Sequence, residues 1–101
     1  VTLGLGACSE TFPADTLPAP DAVDWSSVGA IPVALVTGTN GKSTTVRLTA
    51  AVARAAGHTP GVSTTDYVAV GDEIVEAGDF SGPMGARAAL RDRRATCGVL
   101  E

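Results

Sequence analysis

The sequence predicts an α/β fold, a parallel sheet flanked by helices, and three observations carry that prediction. One is the continuous β-branched apolar run Pro32-Val33-Ala34-Leu35-Val36-Thr37, the composition of a strand buried on both faces of a parallel sheet. The next is an abrupt change of character at Gly38-Thr39-Asn40-Gly41, beyond which Val46, Ala50 and Ala53 recur at helical spacing. The last is the return of short apolar runs, Gly61-Val62-Ser63-Thr64 and Cys97-Gly98-Val99-Leu100, each ending beside a polar or acidic residue. At 101 residues there is room for one core.

Residues 1–31 read as a connecting segment from an upstream region, because Pro13, Pro18 and Pro20 interrupt any pattern and Asp15, Asp21 and Asp24 add charge. Within it, Val1 to Leu5 suits an edge strand, and Ala22 to Val28 a short helix or turn that docks Trp25 by packing. The organised part begins at residue 32. After the strand at 32–37, a helix is expected from Lys42 to Ala56, its stripe widened by Leu48, Val52 and Ala56, with Gly57 as its stop. His58, followed by Thr59 and Pro60, belongs to a surface turn.

Gly61 to Thr64 then forms a second parallel strand, completing a right-handed crossover. Tyr67-Val68-Ala69-Val70 and Glu73-Ile74-Val75-Glu76 make a hairpin about Gly71-Asp72, with the turn type open. A loop at 78–83 leads into a helix with Pro83 in its first turn, capped by Ser81 or Gly82 and ending near Leu90 or Asp92. The third parallel strand is Cys97 to Leu100. Ligands bind such sheets beyond the carboxyl ends of the strands, so Thr37, Thr64 and Glu101 share one functional edge. Further strands and helices would complete such a sheet, so residues 32–101 are expected to be the N-terminal part of a larger domain.

Composition excludes several classes. A net charge of -4 and an aromatic fraction of 4% disfavour nucleic acid, which calls for clustered positive charge and stacking surface. Arg91, Arg93 and Arg94 suit a solvated helix end that complements the dipole. The two cysteines, Cys8 and Cys97, lack paired metal spacing, and one histidine builds neither a metal cluster nor a catalytic triad. No basic, apolar leader and no apolar run of transmembrane length is present, so no membrane is expected and the location is expected to be cytoplasmic.

The chemistry concentrates in Thr37-Gly38-Thr39-Asn40-Gly41-Lys42-Ser43-Thr44. A glycine-bearing loop that opens a helix offers backbone N–H groups and the positive end of the helix dipole to phosphate. Gly38 and Gly41 let the chain turn closely, Lys42 reaches the outer phosphates, Ser43 offers its hydroxyl to Mg2+, and Thr44 adds a further contact. Lys42 is the only lysine of the chain. Val36 stands where the strict phosphate-loop spacing has its first glycine, which marks a compact variant with Gly38 three before Gly41.

These residues resemble the ATP-binding signature of the Mur ligase superfamily, and within it the ligase domains of the cyanophycin synthetase group. The likeness continues through Thr64-Thr65-Asp66, through Gly78-Asp79-Phe80-Ser81-Gly82-Pro83-Met84-Gly85-Ala86-Arg87, and through Val99-Leu100-Glu101, covering residues 32–101. Ser81 and Gly85 depart from the Thr and Ser common in that pattern, which leaves the acceptor open.

The resemblance implies the central ATP-binding domain of an ATP-dependent ligase. Such an enzyme passes the γ-phosphate of ATP to a carboxylate, and an amino acid or amine attacks the resulting acyl phosphate. It assigns phosphate binding to Gly38, Thr39, Asn40, Gly41, Lys42, Ser43 and Thr44, with Lys42 also catalytic. Ser43 would ligate one Mg2+ and Glu101 a second. Presented to the same crevice by the second strand, Thr64, Thr65 and Asp66 are expected to contact substrate or metal-bound water, and Arg87 to bind a carboxylate or form an ordinary salt bridge. The adenine- and amine-binding parts of the family lie outside these residues, so the stretch alone is expected to be inactive. A small-molecule kinase and a non-catalytic nucleotide-binding piece are the alternatives.

Overall fold

The computed structural model describes residues 2–16, 18–24 and 30–101. The packing expected for Trp25, and most of the helix or turn expected around it, lies outside the described residues. The elements are β1 (Thr2–Leu5), β2 (Cys8–Thr11), β3 (Val33–Leu35), α1 (Lys42–Ala55), β4 (Pro60–Ser63), β5 (Tyr67–Val70), β6 (Glu73–Ala77), α2 (Pro83–Arg91) and β7 (Cys97–Leu100). Short 3-10 turns at Ala14–Thr16 and Pro20–Ala22 follow β2. No helix among the described residues is long and apolar enough to cross a membrane.

The main sheet has five strands in the order β3-β7-β4-β5-β6. It is mixed α/β rather than wholly parallel. β3, β7 and β4 run parallel, whereas β5 and β6 add on antiparallel. The reason is connection length: only Thr64, Thr65 and Asp66 separate β4 from β5, and so short a link permits an antiparallel return but no crossover. In the following hairpin, Gly71 has φ +63 and among the described residues no non-glycine has positive φ. Positive φ at the first central position alone describes a type II′ turn.

Alternation along the strands divides the core into two layers. On one face Val62, Ala69 and Val99 pack against Val46 and Ala50 of α1. On the other, Val68 and Leu100 pack against Ala89 of α2, with Phe80 and Leu90 at the margin. Each valine so buried contributes about 1.5 kcal/mol or more. α1 ends where Gly57 and His58 donate their N–H groups to the carbonyls of Arg54 and Ala53, both at 3.0 Å, a Schellman closure.

Two expectations about burial are corrected. β3 is an exposed edge strand, with Leu35 73% and Val33 44% exposed. It pairs only with β7; Val33 and Leu35 share the α2 face of the sheet with Gly98 and Leu100, their register partners, and α2 sits over β4, β5 and β7 instead. Leu48 and Val52 are exposed as well. Each lies two residues, about 200° around the helix, from the buried Val46 and Ala50, so the apolar stripe of α1 is narrower than its composition implies.

The segment before residue 32 contains an antiparallel hairpin, β1 with β2, where the sequence reading had only an edge strand. It is fastened to the body by Gly6 and Ala7, whose N–H groups donate to Leu90 O and Ala95 O at 2.9 and 2.8 Å.

Candidate functional site

The candidate site forms at the carboxyl ends of β3, β7 and β4. The chain leaves β3 through the Gly38–Gly41 turn and enters α1 with Gly41 as its N-cap, in the left-handed region at φ +78. That conformation favours glycine over a residue with a Cβ. No side chain caps the helix and no acidic residue of its own stands in its first turn, so its leading N–H groups have no side-chain cap. Lys42 Cγ lies 4.0 Å from the position a Cβ would occupy on Gly38, which folds the stem of the lysine over the turn. Among the described residues Lys42 has no ion pair. Thr39, Asn40 and Thr44 are exposed.

Three elements converge on one carboxylate. Ser43 donates its hydroxyl to Glu101 Oε2 at 2.8 Å, and the backbone N–H of Thr65 donates to the same oxygen at 3.3 Å. Thr65 Oγ1 lies 3.2 Å from Ser43 Oγ; since the Ser43 proton goes to Glu101, the Thr65 hydroxyl is the donor there. Glu101 is held at both ends of its backbone unit, its N–H on Ser63 O and its C=O on Gly82 N–H, each at 3.1 Å. Ser43 and Glu101, which the resemblance assigns to two different magnesium ions, thus stand in direct hydrogen-bond contact.

The donors gathered here are two hydroxyls and a carboxylate, an all-oxygen set of the kind a hard divalent cation takes alongside waters and phosphate oxygens. No group of three or more His, Cys, Asp or Glu side chains that could hold a metal occurs among the described residues. A cation at this place would therefore need ligand oxygens to complete its shell.

The remaining predicted residues divide. Thr64 is fully buried, and its hydroxyl accepts the N–H groups of Asp66 and Tyr67 at 3.0 and 3.1 Å. It shapes the β4–β5 turn that presents Thr65. Asp66 pairs with Arg47 of α1, both side chains exposed, and the Arg47 guanidinium also lies 5.5 Å from the centre of the Tyr67 ring. Sequence reasoning missed Arg47: it lies on the helix 19 residues before its partner, and nothing local signals the pairing. Asp79 accepts the hydroxyl and N–H of Ser81 at 2.8 and 3.1 Å; those bonds hold its carboxyl below the ordinary value. Arg87 is not brought to the cluster and lines a separate cavity against β1 and β2.

No protein-family model matches the chain. Curated proteins do. Cyanophycin synthetase of Nostoc sp. (strain PCC 7120 / SAG 25.82 / UTEX 2576) is 47% identical over 73 residues, which is 72% of this chain and 8% of that protein. Cyanophycin synthetase of Geminocystis herdmanii (strain PCC 6308) is 48% identical over 71 residues, 70% of this chain and 8% of that protein. That of Crocosphaera subtropica (strain ATCC 51142 / BH68) is 44% identical over 75 residues, 74% of this chain and 9% of that protein. The chain is therefore a homologue of cyanophycin synthetases over about 72% of its length, while spanning 8–9% of the length of these relatives.

Proposed function

We propose, from that homology and the geometry at the strand ends, that these residues supply the phosphate-binding end of an ATP-dependent ligase that joins a carboxylate to an amino acid or amine. The observation that carries the proposal is the convergence of Ser43, Thr65 and Glu101 beside the uncapped start of α1 and Lys42, which has no ion pair among the described residues. Mg-ATP, when bound, supplies the phosphoryl group that activates the carboxylate as an acyl phosphate.

The protein's own part is to hold and neutralise. The leading amides of α1, with Gly38 to Gly41, would surround the phosphates, and Lys42 would offset their charge from one side. Ser43 and Glu101 would hold Mg2+ from the other, with the Thr65 hydroxyl within reach of its water shell. Two anions, the terminal phosphate and the acceptor carboxylate, must approach during transfer, and a fixed cation and lysine reduce that repulsion. Asp66, at the rim of the cluster, is the substrate-facing candidate, while Arg87, which lines the separate cavity against β1 and β2, has no part in this reading. Thr64 acts through the turn it closes. Such a reaction draws on the nucleotide pool of the cytoplasm.

The test is phosphate release by the complete gene product with Mg-ATP, screened against carboxylates with and without amino acids, beside a Lys42→Ala variant. Release that requires both a carboxylate and an amine, reduced by about 100-fold or more in the variant, is the expected result. Release that needs only water, or a hydroxyl acceptor, would sink the ligase reading in favour of an ATPase or kinase.

A further inference from the structure

A second concentration of charge lies away from the Ser43–Glu101 cluster. The β1–β2 hairpin and α2 enclose a cavity of about 630 Å³ lined by Gly4, Leu5, Ser9, Arg87, Arg91 and Arg93, a volume in the range small ligands occupy. Arg87 and Arg91 stand one turn apart on the same face of α2, and Arg93 follows just past its end. The opposite wall is seated firmly. A Cβ on Gly6 would lie 2.2 Å from Ala95 O, so the hairpin turn rests directly on the backbone that follows α2.

Among the described residues, the three arginines differ from the others in having no ion pair or side-chain hydrogen bond. Arg47 pairs with Asp66, and Arg94 with both Asp92 and Glu73; Arg54 donates to Gly71 O at 3.2 Å. Arg87, Arg91 and Arg93 have no such bond among the described residues, and no Asp or Glu lines the cavity. The chain carries 11 acidic residues and a net charge of -4, so acids to neutralise them are in surplus. All three arginines line the cavity as exposed residues, and the repulsion among like charges gathered there, weakened by solvent, would be relieved by an arriving anion. The dipole of α2 accounts for Arg91 in its last turn but not for Arg87 in the middle of the helix.

We infer that this cavity binds an anion bearing at least two carboxylate or phosphate groups, for which guanidinium forks have matching geometry. The site needs none of Lys42, Ser43 or Glu101, so it stands whether or not the nucleotide reading does.

The test uses the complete gene product carrying Lys42→Ala, which removes competition from the Gly38–Thr44 loop. Equilibrium dialysis at low ionic strength with citrate, and separately with inorganic pyrophosphate, is compared with the same protein carrying Arg91→Gln and Arg93→Gln in addition. At least one probe should bind, and the double substitution should weaken it about tenfold or more, with affinity falling as salt rises. Citrate alone identifies a polycarboxylate ligand, and pyrophosphate alone a phosphorylated one. Arg91→Lys with Arg93→Lys keeps the charge but loses the forks, so it should bind more weakly than the parent and more tightly than the Gln pair, which separates loss of charge from loss of fold. Absence of binding by both probes, or equal affinity with and without the two arginines, would overturn the inference and leave them as a solvated surface. Failure of the nucleotide reading would show instead in the phosphate-release assay and leave these titrations unchanged.

Discussion

Ser43, in the first turn of α1, donates its hydroxyl to Glu101 at 2.8 Å across 58 residues of chain. The bond joins the start of a helix to the end of a central strand, and it places a carboxylate beside an uncapped helix N-terminus.

Glu101→Gln tests the charge of that contact. The amide oxygen still accepts from Ser43 and Thr65, so stability should change by about 1 kcal/mol or less. The Mg2+ concentration for half-maximal phosphate release should rise about tenfold or more. An unchanged magnesium requirement would remove Glu101 from the cation site.

Gly61→Ala tests how closely α2 rests on the sheet. The added Cβ would lie 2.5 Å from Ala89 O, a backbone atom that moves only with the helix. Urea unfolding should show a loss of about 1–3 kcal/mol. A neutral result would mean that α2 rides farther from β4 than the packing of Ala89 indicates.

Asp92→Asn should flatten part of the acid dependence of stability. Hydrogen bonds from Arg94 hold the Asp92 carboxyl below its ordinary value of 3.8. A depressed carboxyl stabilises the fold fully above the unfolded value, and that contribution fades as pH falls through the folded one. The variant should therefore be less stable than the parent at pH 7 and converge with it towards pH 3. An equal gap at both pH values would show that the Asp92–Arg94 contact contributes nothing through charge.

The two thiols should differ in reactivity. Cys97 is 9% exposed, and burial pushes its thiol up, whereas Cys8 is only half-buried. Iodoacetamide at pH 8 should label Cys8 about tenfold faster or more, and the rates should converge in denaturant. Equal rates in the folded protein would show that β7 opens readily.

Local signals carried most of the elements. Short apolar runs marked β3, β4 and β7; Gly57 marked the close of α1, and Pro83 the start of α2. Each is a property of a few neighbouring residues: a preferred φ, a missing N–H, or the spacing of apolar side chains. The same is true of the Gly38–Thr44 stretch, whose residue types suggest phosphate chemistry without reference to the rest of the chain.

Long-range relations were beyond such signals. Nothing near Val33 or Leu35 says that β3 takes the sheet edge, because burial depends on which strands and helices arrive on either side. Arg47 meets Asp66, and Gly6 meets Ala95, only after the chain has closed. Sequence alone determined most of the helical and extended segments, β2 excepted, and the residue types at their ends. Tertiary structure decided that Ser43, Thr65 and Glu101 share a site while Arg87 faces a different cavity. The physical reason is that backbone preference acts over a few residues, whereas contact between side chains depends on strand order and packing across the whole sheet.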